Sequence, residues 1–115
     1  MSKRDDRISL RDMLSHANEA VHLLGSASRD DLRRNRVMQL ALTRLVEIIG
    51  EAANRVSRVS QEAHPDIPWP QIIGMRNRLI HGYDVTDWDL LWDTVTTDLP
   101  PLIISLHQIT AEDNP

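Results

Sequence analysis

Cysteine and phenylalanine are absent from this chain of 115 residues, tyrosine occurs once and glycine four times. Without cysteine there is neither a disulfide framework nor a thiolate zinc site, and sulfur redox chemistry is confined to four methionines. No stretch approaches the ~20 consecutive apolar residues of a membrane span, and the opening MSKRDDRISLRDM is charged rather than apolar. The expectation is a soluble, cytoplasmic protein with no signal peptide. Also missing are a glycine-rich phosphate loop and a G-x-S-x-G elbow, which removes sequence support for NTPase and serine hydrolase classes. The length fits a single domain over residues 1–115.

What is present is charge, unevenly placed. The net charge of −4 argues against a general polyanion binder but leaves room for a local cationic cleft. Arg29 to Arg58 holds seven arginines against four acids, whereas Asp84 to Asp98 holds five aspartates and no basic residue. An asymmetric surface is expected. Twelve of the 13 basic residues are arginine, a side chain suited to forked phosphate contacts, although genome composition produces the same bias.

Apolar residues recur at helical spacing. Leu10, Met13, Leu14, Ala17, Val21 and Leu24 mark a first helix, with Ser9 as its expected N-cap and Gly25 beyond its end. Ser28 and Asp31 open a second pattern from Leu32 to Val56, read as one helix of ~7 turns. Its interior Gly50 costs ~1 kcal/mol relative to alanine, which points to another helix packed close against it. HPDIPWP, with three prolines in seven residues, reads as a turn. A short third helix is then expected from Trp69 or Pro70 to His81, closed by Gly82. Asp87, or Thr86 with Asp89, caps a fourth running to Ile109, with a kink or break near Leu99 ahead of Pro100 and Pro101. No strand-like alternation competes. The expected fold is all-α, an antiparallel bundle of four to five helices.

The segment RNRLIHGY, residues 76–83, carries the chemistry. On an ideal helix Ile72, Met75, Arg76, Leu79, Ile80 and Tyr83 share one face, with Arg76 in the middle of it. Arg76 there either pairs with Glu47 or Glu51 of the second helix, snorkels to the surface, or holds an anionic ligand. Five residues of ideal helix rotate by ~140°, so Arg76 and His81 do not face one ligand from an unbroken helix. A shared site needs a chain that turns at His81 and Gly82, or a two-fold dimer that builds each cleft from both chains. Cleaving a phosphodiester through its own 2′-hydroxyl requires a base, an acid and positive charge on the phosphoryl oxygens. A dimer supplies two histidines and two arginines.

RNRLIHGY has the R-x4-H-x-Y pattern of the HepT-like toxins of the HEPN superfamily, which it resembles. The likeness extends to EIIGEAANRVS (47–57), HPDIPWPQIIGMRNRLIHGY (64–83) and WDTVTTDLPPLI (92–103), most of the chain beyond the first helix. The resemblance implies a HEPN-like helical homodimer acting as a metal-independent endoribonuclease, with RNA as substrate, no cofactor and no membrane. Arg76 and His81 would be catalytic, in a cleft at the dimer interface, and Asn77 the supporting polar residue. It also implies a toxin–antitoxin system of type VII character, in which an MntA-like nucleotidyltransferase neutralises the toxin by transferring AMP to Tyr83. Some similar proteins have been regarded as non-catalytic binding modules that dock the nucleotidyltransferase, and that is the alternative.

These roles fit the residue types. A forked guanidinium suits charge building on phosphoryl oxygens. Histidine titrates near ~6.5 in water, so its imidazole serves as base or acid near neutrality. Adding AMP two residues from His81 would place a bulky anion where RNA phosphates must come. Arg78 lies off the apolar stripe, either meeting RNA backbone or merely solvated. Arg29, Arg33, Arg34, Arg36, Arg55 and Arg58 either extend an RNA surface or form a solvated helix face. Trp69, Trp88 and Trp92 read as core or interface anchors. His16, His22, His64 and His107 lack metal-ligand spacing, so no metal site is expected.

Overall fold

The computed structural model describes the backbone of residues 3–81 and 85–112, with all side chains in those spans except those of Lys3, Arg4, Arg76, Ile80, His81, Val85, Thr86 and Glu112. Helix α1 spans Lys3–Leu24. It begins two turns before the expected cap, and Ser9 lies buried inside it. The cause is long-range. Asp6, only 5% exposed, accepts hydrogen bonds from the Ser57 N–H (2.9 Å), the Ser57 hydroxyl (2.6 Å) and the Ser60 hydroxyl (2.7 Å). These bonds hold the first turns of α1 at the far end of the second long helix, so the two helices run antiparallel. At the other end Gly25 takes φ +53° and donates its N–H to Val21, as its place in the sequence leads one to expect.

The second pattern is two helices, not one. Helix α2, Arg29–Arg34, opens with the Ser28 and Asp31 capping box, and α3 spans Arg36–Arg55. Asn35 separates them at φ −102°, ψ 99°, closing α2 through its own N–H and capping α3 by accepting the Met38 N–H. The buried Gln39 amide donates to the carbonyls of Leu32 and Arg33, both at 2.9 Å, satisfying acceptors that a helix end leaves open. A short α4, Arg58–Ala63, follows, which apolar spacing alone did not indicate.

Helix α5, Trp69–Ile73, starts where expected, with Pro70 in its first turn. A break at Gly74 separates it from α6, Met75–Leu79. Ile80–His81 and Val85–Thr86 form a two-residue antiparallel pairing, β1 and β2, with Ile80 opposite Thr86 and His81 opposite Val85. Asp87 caps α7, Trp88–Asp93, by accepting the Leu90 N–H at 3.0 Å. A π-helical turn, Thr94–Asp98, then leads into α8, Leu99–Glu112. The irregularity falls just ahead of Leu99, because Pro100 and Pro101 have no N–H and their rings clash with α-register carbonyls four residues back. The wider turn lets Leu99 bond instead to Thr94, five residues earlier.

The all-α fold is thus as expected from the sequence, with its long patterns broken at Asn35, Gly74 and the π turn. Helix α3 lies at the centre, against α1, α2, α5, α6 and α7, and α8 closes over α1. The core is aliphatic: Met13 and Ala17 of α1, Leu42, Val46 and Ile49 of α3, and Leu99 and Leu106 of α8 are buried. No described helix is long and apolar enough to cross a membrane. Gly50 sits on α3 where the carbonyl oxygens of Ile72 and Ile73 would lie 3.2 Å from an added Cβ, the close approach that its place in a helix interior predicts.

Two stability tests follow from these contacts. Gly50→Ala gains ~1 kcal/mol of helix propensity, but the methyl meets rigid backbone, and overpacking of about 1–3 kcal/mol outweighs the gain. The urea midpoint falls; a rise would show that the α3–α5 contact is slack. Burial tends to raise the Asp6 pKa, but the bonds from Ser57 and Ser60 outweigh it and lower the value. A carboxylate stabilised in this way supports the fold above its unfolded-state pKa and ceases to as pH falls through the folded value. Asp6→Asn therefore lowers stability by about 1–3 kcal/mol at pH 7, and the difference from wild type shrinks in acid. A pH-independent difference in thermal melting would contradict this.

Candidate functional site

The R-x4-H-x-Y segment begins on α6 and leaves it. Leu79 and Met75, both about 1% exposed, seat α6 on α3 and α7. The helix stops at Leu79, whose carbonyl accepts the Asp87 N–H at 2.9 Å, and the chain continues as extended backbone through Ile80 and His81. The expected helical face running on to Ile80 and Tyr83 is therefore not formed as one helix. The rotation argument against a joint Arg76 and His81 site lapses with it, because a helix end now separates the two residues. The helix ends two residues earlier than Gly82 would place the stop, and Gly82 itself lies outside the described residues.

Arg76 and His81 are placed by their backbones, one on α6 and one on β1, and their side chains lie outside the described set. Gly82 and Tyr83 lie outside the described residues. Asn77 is exposed. Arg78 is exposed too, and its Nη2 donates to the Gln71 carbonyl at 3.0 Å, which lays the side chain back along α5. Glu47 and Glu51, considered above as partners of Arg76, both lie beside Arg44, at 3.3 and 3.5 Å.

The remaining arginine cluster divides. Arg33 reaches Asp89 at 2.6 Å, Arg29 reaches Asp93 at 3.2 Å, and Arg34 pairs with Asp30 at 3.1 Å. Arg29 also stands over the Trp92 ring, 5.9 Å from its centroid. The basic and acidic blocks read separately from the sequence thus face each other across α2 and α7, so the asymmetry expected of the surface is partly cancelled within the fold. Trp69 is a core anchor whose indole N–H donates to the His64 carbonyl at 3.0 Å.

A cleft of about 270 Å³ opens beside this segment, lined by the turn into α5, by Arg78 and by the π turn with the start of α8. Sequence reading had not assembled it. Asp66 stood there in a proline-rich turn and Asp98 at the end of an aspartate-rich block, with nothing to bring the two together. The signal available was the proline pair itself, since a helix forced to widen often does so at a functional site.

An all-helical bundle that carries an R-x4-H-x-Y segment is consistent with the HEPN-like ribonuclease class that the sequence resembles. The comparisons agree: the family model described as "Ribonuclease HepT-like" matches residues 13–109, and the chain belongs to that family. It is similar to "Putative RNase MJ1380" of Methanocaldococcus jannaschii, 36% identical over 102 residues that cover 89% of this chain and 94% of that protein. It is also similar to "Probable ribonuclease HepT" of Thermococcus cleftensis, 37% identical over 98 residues, 82% of this chain and 89% of that one. No solved structure matches the chain.

Proposed function

We propose that this protein is a metal-independent endoribonuclease toxin that cleaves RNA at a dimer-interface cleft lined by Arg76 and His81. The observation that carries the reading is an R-x4-H-x-Y segment within a chain that belongs to the HepT-like ribonuclease family. Two relatives named as ribonucleases, each similar over most of its length, support it.

The chemistry is in-line attack of the 2′-hydroxyl on the neighbouring phosphorus. One imidazole takes the 2′ proton as the O2′–P bond forms, and a protonated imidazole gives its proton to the 5′-oxygen as the P–O5′ bond breaks. Arg76 holds the phosphoryl oxygens, where negative charge grows in the transition state. A dimer provides one His81 for each proton transfer, and Asn77 orients the phosphate or an imidazole. Tyr83 is the regulatory residue: AMP transferred to its hydroxyl by an MntA-like nucleotidyltransferase puts a phosphate beside His81 and repels RNA.

Purified dimer, incubated with labelled tRNA and mRNA in excess chelator, cleaves RNA, and Arg76→Ala and His81→Ala each slow the reaction by ~10²-fold or more. Expressed alone, the wild type arrests bacterial growth and either variant relieves the arrest. A folded, unmodified wild-type dimer that cleaves nothing across a broad RNA panel contradicts the proposal. Such a result would favour a non-catalytic module that docks the nucleotidyltransferase.

A further inference from the structure

The cleft next to α6 has a floor and a rim of different character. Its floor is apolar, made by Ile67, Ile72 and Leu102, each no more than 3% exposed. Its rim carries charge of both signs: Arg78 from α6, Asp66 from the turn before α5, and Asp98 at the end of the π turn, all exposed. These charges do not neutralise one another. Among the described residues neither Asp66 nor Asp98 forms an ion pair or a side-chain hydrogen bond, and Arg78 is tethered only to the Gln71 carbonyl.

That arrangement selects its ligand. A bare phosphate would face two carboxylates, and a lysine or arginine side chain would face Arg78. A flat neutral ring with donors on one edge and acceptors on another satisfies floor and rim together. Ionised carboxylates only accept hydrogen bonds, and a guanidinium only donates them. Among the four RNA bases, guanine alone has two adjacent donors, N1–H and N2–H, on its Watson–Crick edge, and its O6 and N7 form the acceptor pair that arginine meets in a forked contact. Adenine and cytosine would turn a ring-nitrogen lone pair toward the carboxylates, and uracil has one donor flanked by acceptors. The location also fits. Arg78 is carried by α6, the same helix as Arg76, so the cleft adjoins the helix on which the proposed phosphate contact stands. The π turn supplies an independent sign of a functional edge: the two prolines withdraw the α-helical donors of the Thr96 and Thr97 carbonyls, and Thr97 and Pro101 both line the cleft.

We propose that this cleft is a base-recognition subsite that takes guanine, with Asp66 and Asp98 accepting from N1–H and N2–H and Arg78 donating to O6 and N7. The inference rests on the ribonuclease reading for its biological meaning, but its test does not depend on turnover. The full-length protein, labelled at isoleucine and leucine methyls, is titrated with each of the four nucleoside 5′-monophosphates. GMP shifts the methyls of Ile67, Ile72 and Leu102 and binds at least 10-fold more tightly than the other three, since one good bidentate pair discriminates by ~1–3 kcal/mol. Asp66→Asn and Asp98→Asn, both exposed substitutions, each reduce that preference, while Gln108→Ala on the exposed side of α8 leaves it intact. Equal shifts from all four nucleotides, shifts elsewhere only, or capture of an arginine-rich peptide in place of GMP would overturn the subsite. Guanine binding without RNA cleavage would sink the ribonuclease and leave the subsite standing. Cleavage with no base preference and no GMP shift would do the reverse.

Discussion

The arrangement of the site depends on how closely α5 approaches α3 at Gly50. With no side chain there, the carbonyl oxygens of Ile72 and Ile73 come to 3.2 Å from where a Cβ would stand, and the apolar residues Ile72, Met75 and Leu79 pack down against the core. Once α6 is seated, its end is also determined. The Leu79 carbonyl is taken by Asp87, the residue that caps α7, so helix end, extended segment and next helix start are joined through two hydrogen bonds. Arg76 and His81 inherit their backbone positions from that chain of contacts. A methyl group on α3 is therefore felt at a segment more than 20 residues away in sequence, through packing alone.

Much of this was legible in the sequence, and what was not shares a cause. Helices were legible because apolar periodicity reports directly on a buried face, and caps such as Ser28 with Asp31, Gly25 and Asp87 are local chemistry. Breaks were less so: the one ahead of Leu99 was expected from Pro100 and Pro101, whereas others rest on contacts that apolar spacing does not report. The start of α1 is set by Ser57 and Ser60, the break at Asn35 is supported by Gln39 reaching back to α2, and α6 stops where Asp87 competes for the Leu79 carbonyl. The motif itself was readable because its residues are contiguous. The cleft was not, since residues near positions 66, 78 and 98 meet only in the folded chain.

Electrostatics follows the same rule. The arginine-rich and aspartate-rich stretches look like opposite faces when read along the chain, yet Arg29 and Arg33 meet Asp89 and Asp93 across α2 and α7. Exposed pairs of this kind contribute only about 0–1 kcal/mol each, so their larger effect is to quieten a surface that would otherwise attract nucleic acid without selection. Arg36, Arg55 and Arg58 remain exposed, with no ion pair among the described residues. The fold thus leaves a few arginines exposed and pairs others with carboxylates.

The central claim is that side chains of the R-x4-H-x-Y segment drive attack by the RNA's own 2′-hydroxyl. The direct measurement is the chemistry of the new ends, read by mass spectrometry after reaction in excess chelator, on one RNA and on the same RNA with a single 2′-deoxy substitution 5′ of the cut. Products ending in 2′,3′-cyclic phosphate and 5′-hydroxyl, with cleavage abolished at the deoxy position, are the predicted result. Ends bearing 3′-hydroxyl and 5′-phosphate, or undiminished cutting at the deoxy position, would contradict it.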